Sequence, residues 1–186
     1  MQAGWAVSAP RPVDDFEREL ARTRELTNRP FAVNHVVFTL NEEAFALTLE
    51  AKPAVISFAV SDPGELAERA HDAGSLVMHQ VTAVRGAHQA AARNVDLIIA
   101  QGTEAGGLGG SVAGLALIPQ VVDAVRPIPV VAAGGIAAGR GLAAALVLGA
   151  HGINIGTRFL ASMEASTAFV KTIDPKARCR HIGVGS

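Results

Sequence analysis

Three short stretches of the chain carry glycine at points where bare backbone could do chemistry: Gln101–Gly110 (QGTEAGGLGG), Gly134-Gly135 and Gly156-Thr157. Glycine turns where a Cβ would clash and lets backbone N–H groups come close to an anion; the Thr157 hydroxyl adds a further donor. Gly134-Gly135 and Gly156-Thr157 each follow a short apolar run, Ile128–Ala133 and Gly152–Ile155, of the kind that forms a buried parallel strand. In (β/α)8 barrels the loops after the last two strands are where a cofactor or substrate phosphate sits. Phosphate binding is therefore the chemistry this pair predicts, against the plainer alternative of two ordinary turns. In the first stretch, five glycines from Gly102 to Gly110 allow close approach to a flat ligand.

The titratable residues offer less. His79 and His35 stand beside Gln80 and Asn34 on strand-like runs, so alternation points each histidine away from its amide neighbour. His71 and His88 fall on helical patterns and are expected to face solvent. Glu104, inside the glycine loop, either orients a neighbour or is a solvated carboxylate. No His, Asp or Glu pair has ligand spacing on one face, so no metal is expected. The single cysteine, Cys179, allows no internal disulfide and no cysteine-based metal cluster. Nearby Lys176, Arg178 and Arg180 could lower its pKa, but an inert thiol is the expectation.

The 186 residues suggest one domain, 1–186, with 49% hydrophobic and 18% charged residues, the balance of a globular chain able to bury a core. The formal charge is −1 and there is no block of Lys or Arg, so neither nucleic acid nor an anionic membrane surface is an expected partner. No apolar run is long enough to span a bilayer. The N-terminus lacks the basic and apolar regions of a secretory signal, which leaves the cytoplasm as the expected compartment.

The elements that must position these stretches recur with a period. Strands are expected over Phe31–Phe38, Ala54–Val60, Leu76–Val81, Val95–Gln101, Ile128–Ala133 and Gly152–Ile155, with a further, indistinct one at Gly4–Ala9. Helices are expected over Val13–Leu26, Glu42–Ala51, Pro63–Ala73, Arg85–Arg93, Leu115–Val125 and Ala138–Leu148. With starts taken at residues 31, 54, 75, 95, 128 and 152, the strands recur every 20–24 residues except for one interval of 33, which holds the glycine loop. Such alternation implies parallel strands with right-handed crossovers, and predicts an α/β fold of the (β/α)8 TIM-barrel type over a doubly wound sheet. A closed barrel needs eight strands. The barrel is thus expected to be incomplete at the N-terminus, in its first strand, and at the C-terminus, and its exposed edges make a homo-oligomer plausible.

The segments RPFAVN, VISF, VMHQVT, DLIIAQGTEAGG, IPVVAAGGIA and GTRFLAS follow one another in an order that resembles the nitronate monooxygenase (2-nitropropane dioxygenase) family, with flavin-dependent enoyl-acyl-carrier-protein reductases as close relatives. The resemblance implies an FMN-binding TIM barrel that oxidises alkyl nitronates with molecular oxygen. By the same resemblance, Gly134, Gly135, Gly156 and Thr157 hold the FMN phosphate. Asn34 and Gln80 face the flavin from strand ends, and Gln101, Gly106 and Gly107 lie along it. After EAGG the family carries a histidine taken as the catalytic base; here the position is Leu108, which neither accepts nor donates a proton. The family's first strand, with its flavin-contacting Gln-Ala-Pro-Met run, has no counterpart before Gly4. Two rival expectations follow: a non-catalytic or incomplete flavin-binding remnant, and a barrel that keeps the phosphate site for a sugar phosphate or nucleotide.

Overall fold

The computed structural model describes residues 5–8 and 12–160. Cys179 lies outside them. The chain forms two compact units, one built from residues up to Val81 together with Arg85–Ile98, the other from Thr82–Val84 and Ile99 onward.

The first unit contains β1 (Trp5–Ser8), α1 (Val13–Leu26), β2 (Ala32–Val36), a 3₁₀ turn at Val37–Thr39, α2 (Glu42–Ala51), β3 (Val55–Ala59), α3 (Glu65–Asp72), β4 (Leu76–Val81) and α4 (Val84–Ala92). Strands β1 to β4 pair in chain order and all in parallel, with Asn34 opposite Ser57 and Ser57 opposite Met78. The indistinct N-terminal strand is real: Trp5–Ser8 pairs with Ala32–His35.

Local chemistry explains the helices. α1 opens with Asp14 and Asp15 and closes near Arg24, which complements the helix dipole, and it buries Phe16 and Leu20 one turn apart. α2 is capped by Asn41, whose side chain accepts the N–H groups of Glu43 and Ala44. α3 starts two residues later than its sequence suggests, because Gly64 at φ 52° breaks the helix after Pro63. Phe16, Leu20, Phe31, Val33 and Ala44 form the apolar cluster between these helices and the sheet, with Leu47 and Ala51 at its margin. Burying each large apolar side chain contributes about 1.5–3 kcal/mol.

The second unit contains β5 (Leu97–Gln101) from Ile99 onward, α5 (Gly114–Val125), β6 (Val130–Ala133), α6 (Gly139–Val147), β7 (Gly152–Asn154) and the single turn α7 (Thr157–Leu160). The strands follow in chain order, and β6 runs parallel to β7 with Val131 opposite Gly152. Leu117, Ile118, Val121, Val122 and Val125 form the buried face of α5. α6 stops at Gly149, whose φ of 92° suits glycine alone; a Cβ there would also press on Val122 Cγ1 at 3.0 Å.

The class is α/β, and the succession of parallel strand and helix is that of a partial TIM barrel. Among the described residues no helix is long and apolar enough to cross a membrane.

Candidate functional site

The glycine-bearing loops after β5, β6 and β7 meet in the second unit. Gly134 and Gly135 leave β6 with φ of 113° and 65°, conformations that L side chains rarely adopt. Both are tightly packed. A Cβ on Gly134 would lie 3.0 Å from Ala105 N and 3.3 Å from Gly102 O, and one on Gly135 would lie 3.2 Å from Glu104 Cβ. The Gly102 N–H donates to Ala133 O at 2.9 Å, tying the two loops at their roots. At the tip, a Cβ on Gly106 would stand 2.6 Å from Thr157 Oγ1, so the third loop presents its hydroxyl against bare backbone. Gly107 and Gly156 face open space on the Cβ side.

Two side chains hold the long loop in shape. Gln101, buried at the end of β5, donates through Nε2 to the Leu108 carbonyl at 2.9 Å. Glu104 turns back across the loop, and both carboxylate oxygens accept the N–H of Gly114, the first residue of α5, at 3.1 and 3.0 Å. Of the two roles the sequence leaves open for Glu104, orienting a neighbour is the one observed. It leaves no room for a side chain at Gly102, where a Cβ would meet Glu104 Oε2 and approach Gly114 N and Cα to 2.5 and 2.6 Å. The Glu104 charge thus answers the positive end of α5.

Leu108 projects from the loop with 56% of its surface exposed, between Gly107 at φ 89° and Gly109. It brings an apolar surface and no titratable group to the loop tip.

The structure therefore brings Gln101, Gly106, Gly134, Gly135 and Thr157 into one loop cluster, with Gly107 and Gly156 adjoining it in the chain. The two amides predicted alongside them belong to the first unit. Asn34 is the middle residue of β2 rather than its end, and Gln80 is the penultimate residue of β4, opposite Ala59. Both are half-buried.

The two buried histidines of the first unit, His79 and His35, are held by packing and hydrogen bonds within that unit. His79 lies on the face opposite Gln80, as alternation requires, and its Nδ1 donates to Phe58 O at 3.1 Å. Burial pushes its pKa down, only partly opposed by that carbonyl and by Asp62. His35 packs against Phe16 and edge-on to Phe45. Thr48 gives its proton to Ala44 O, so its oxygen accepts from His35 Nε2 at 2.9 Å. Burial lowers the His35 pKa to about 4.

His71 departs from expectation. It is half-buried rather than solvent-facing, because Asp96 lies 2.8 Å from its Nε2 and also accepts the Val77 N–H at 2.7 Å. A contact spanning 25 positions has no local sequence signal. The sequence also gives no sign of the Arg93 fork on Asp62, whose two nitrogens hold that carboxyl below its ordinary range. Among the described residues no group of three or more His, Cys, Asp or Glu could hold a metal ion.

The family model for nitronate monooxygenase matches residues 38–179. A (3aS,4S,5R,7aS)-5-hydroxy-7a-methyl-1-oxo-octahydro-1H-indene-4-carboxyl-CoA dehydrogenase of Rhodococcus jostii is 40% identical over 88% of this chain and 46% of its own. A nitronate monooxygenase of Neurospora crassa is 43% identical over 59% of this chain and 32% of its own. Among solved structures, FabK from Thermotoga maritima superposes with a TM-score of 0.83 at 34% identity, over 87% of this chain and 52% of its own. The chain thus spans about half the length, or less, of these relatives. The match to the family model covers most of the chain, and the glycine loops that the structure draws together lie inside it. The chain belongs to the nitronate monooxygenase family of flavin-dependent oxidoreductases.

Proposed function

We propose that this chain is the FMN-binding domain of an oxidoreductase that oxidises alkyl nitronates with molecular oxygen. The observation that carries the reading is the convergence of three glycine-bearing loops, with Gly106 against Thr157 and Gly134-Gly135 against residues 102–105. Gly134, Gly135, Gly156 and Thr157 would hold the FMN phosphate through backbone N–H groups and the Thr157 hydroxyl. Glu104 does not oppose this, because its charge is turned to the N-terminus of α5.

Bound FMN would supply the two-electron acceptor and pass the electrons on to oxygen. The chain's own residues do the rest. Asn34 and Gln80 offer neutral amides, each with donors and an acceptor, suited to the carbonyls and nitrogens of a flat ring. Gln101 fixes the loop beside that ring through Leu108 O, and the bare backbone at Gly106 and Gly107 leaves room for a small substrate. Leu108 can neither take nor give a proton, so the reading favours a substrate that arrives already deprotonated, as a nitronate is, over a neutral nitroalkane.

The test is the visible spectrum of the purified chain before and after FMN and desalting, followed by oxygen uptake with a small nitronate. Retained flavin bands and oxygen uptake are expected; a chain that stays colourless at high FMN sinks the reading. A second reading is favoured by the Rhodococcus relative, which aligns over most of this chain and carries a carboxyl-CoA dehydrogenase name. On that reading Leu108 meets an apolar acyl body, and turnover needs an electron acceptor but no nitronate. A chain that holds flavin and turns over neither substrate would be the non-catalytic remnant.

A further inference from the structure

Val60 is the first residue after β3, and its φ of 81° is one that a β-branched residue seldom adopts. Regular alternation would put it with Phe58 on the face that packs on α2 through Phe45. The left-handed turn takes it out of that face, and 45% of the residue stays exposed. Burial therefore gives little return for a conformation that costs energy. Among the described residues, the other non-glycine residues with positive φ are Lys52 and Asn94. Both are unbranched and sit just past helices, where that conformation closes the last turn.

The turn is fixed from both ends. Before it, β3 is paired on both sides and buried at every position. After it, Asp62 accepts the Gly64 N–H at 3.0 Å. Arg93, just beyond α4, grips the same carboxylate through Nε and Nη2 at 3.0 and 2.8 Å.

The place matters as much as the strain. Val60 stands at the C-terminal end of a parallel strand, the end at which such sheets bind their ligands. The residue before it, Ala59, lies opposite Gln80 on β4. An exposed apolar side chain is thus set one residue beyond the partner of a strand-end amide. Apolar surface with a few placed polar groups is what a flat ring with polar edges requires.

We propose that Val60 is a ligand-binding residue: its side chain supplies an apolar contact for the flat ring that Gln80 addresses, and the Asp62–Arg93 pair positions it. The contact rests on the flavin reading above. It gives the strain a use, because glycine in place of Val60 relaxes the turn and loses the contact.

The test sets flavin affinity against stability in Val60→Gly, Val60→Thr and Arg93→Gln. Each is titrated with FMN and with riboflavin, which has the ring without the phosphate. Val60→Gly should bind both flavins about tenfold more weakly and shift their visible bands, while melting no lower than wild type. Val60→Thr keeps the branched shape but brings a hydroxyl to the contact, and should also weaken both. Arg93→Gln should weaken binding by itself and add little to Val60→Gly; losses that multiply would remove the Asp62–Arg93 pair from its positioning role. Val60 variants that bind both flavins as tightly as wild type, with unchanged bands, overturn the proposal and leave the flavin reading standing. If the glycine variant melts lower or fails to fold, the Val60→Thr affinities decide. A wild type that binds riboflavin but not FMN loses only the phosphate site, and the riboflavin affinities still decide the contact. A wild type that binds neither sinks the flavin reading and this contact with it.

Discussion

Glu104 and Gly114 are ten residues apart in the chain, and both carboxylate oxygens of the first accept the single backbone N–H of the second. This contact caps α5 from outside, because its own N-cap residue, Ala113, has no side chain to do so. It also anchors the glycine loop, since Glu104 covers Gly135 while its carboxylate fills the space beside Gly102.

Removing the cap should loosen both elements. Glu104→Ala loses a charge-assisted hydrogen bond at a helix N-terminus, worth about 1 kcal/mol, and should lower the melting temperature by a few degrees. Glu104→Gln keeps an acceptor and should lose less. Gly102→Ala should cost more than either, about 1–3 kcal/mol, because the new methyl meets backbone at Gly114 that cannot step aside. Thermal melts of the three variants give the order; a Glu104→Ala protein as stable as wild type would refute the capping role.

The buried histidines make stability depend on pH. His35 has a folded pKa of about 4 against an ordinary value of 6.5. Between those values the unfolded chain takes up a proton that the folded chain refuses. His35 therefore leaves stability intact above about pH 6.5, and stability falls as the pH drops toward 4. The full loss is about 3 kcal/mol by linkage. His79 is shifted in the same direction by burial and adds to it. Asp62, held low by Arg93, acts on the more acid side of this window. Denaturant melts from pH 7.5 to pH 4.5 should show the decline, and His35→Gln should flatten part of it. Equal slopes in the two proteins would rule His35 out as the cause.

Much of this could be read from sequence where the signal is local. The spans of α1, α2 and β4 fall where apolar periodicity and capping residues put them. The positive φ values at Gly134, Gly135 and Gly149 sit where glycine marks a turn or a helix stop. What escaped depends on distant neighbours. The destination of Glu104 requires knowing where α5 begins, and the partner of His71 lies on a strand entry 25 residues later. The Val60 backbone, at φ 81°, carries no sequence mark at all.

Val60 supplies a test of strain. A β-branched residue in the left-handed region is a conformational outlier costing about 1–3 kcal/mol, and Val60 is nearly half exposed, so it regains little by burial. Val60→Gly should relieve that strain. The gain is offset in part by the greater freedom of glycine in the unfolded chain, for a net rise of about 1 kcal/mol and a few degrees in melting temperature. Val60→Ile should bring no gain. A glycine variant that melts below wild type would show that the valine side chain contributes more than its backbone costs.

Leu108 makes the chemical prediction. It sits at the exposed tip of the loop that Gln101 holds by its carbonyl, so replacing its side chain leaves that hydrogen bond in place. If the proposed function is right, the wild-type protein should oxidise a supplied nitronate and be slow on the neutral nitroalkane, which must first lose a proton. Leu108→His restores a group able to take that proton, and general-base catalysis contributes about 10²–10⁴ in rate. The expected result is a gain of that order on the nitroalkane, with an acid limb near the pKa of the new histidine and little change on the nitronate. Equal gains on both substrates would point to altered substrate binding rather than proton transfer. No gain on either would place residue 108 outside reach of the carbon that gives up the proton.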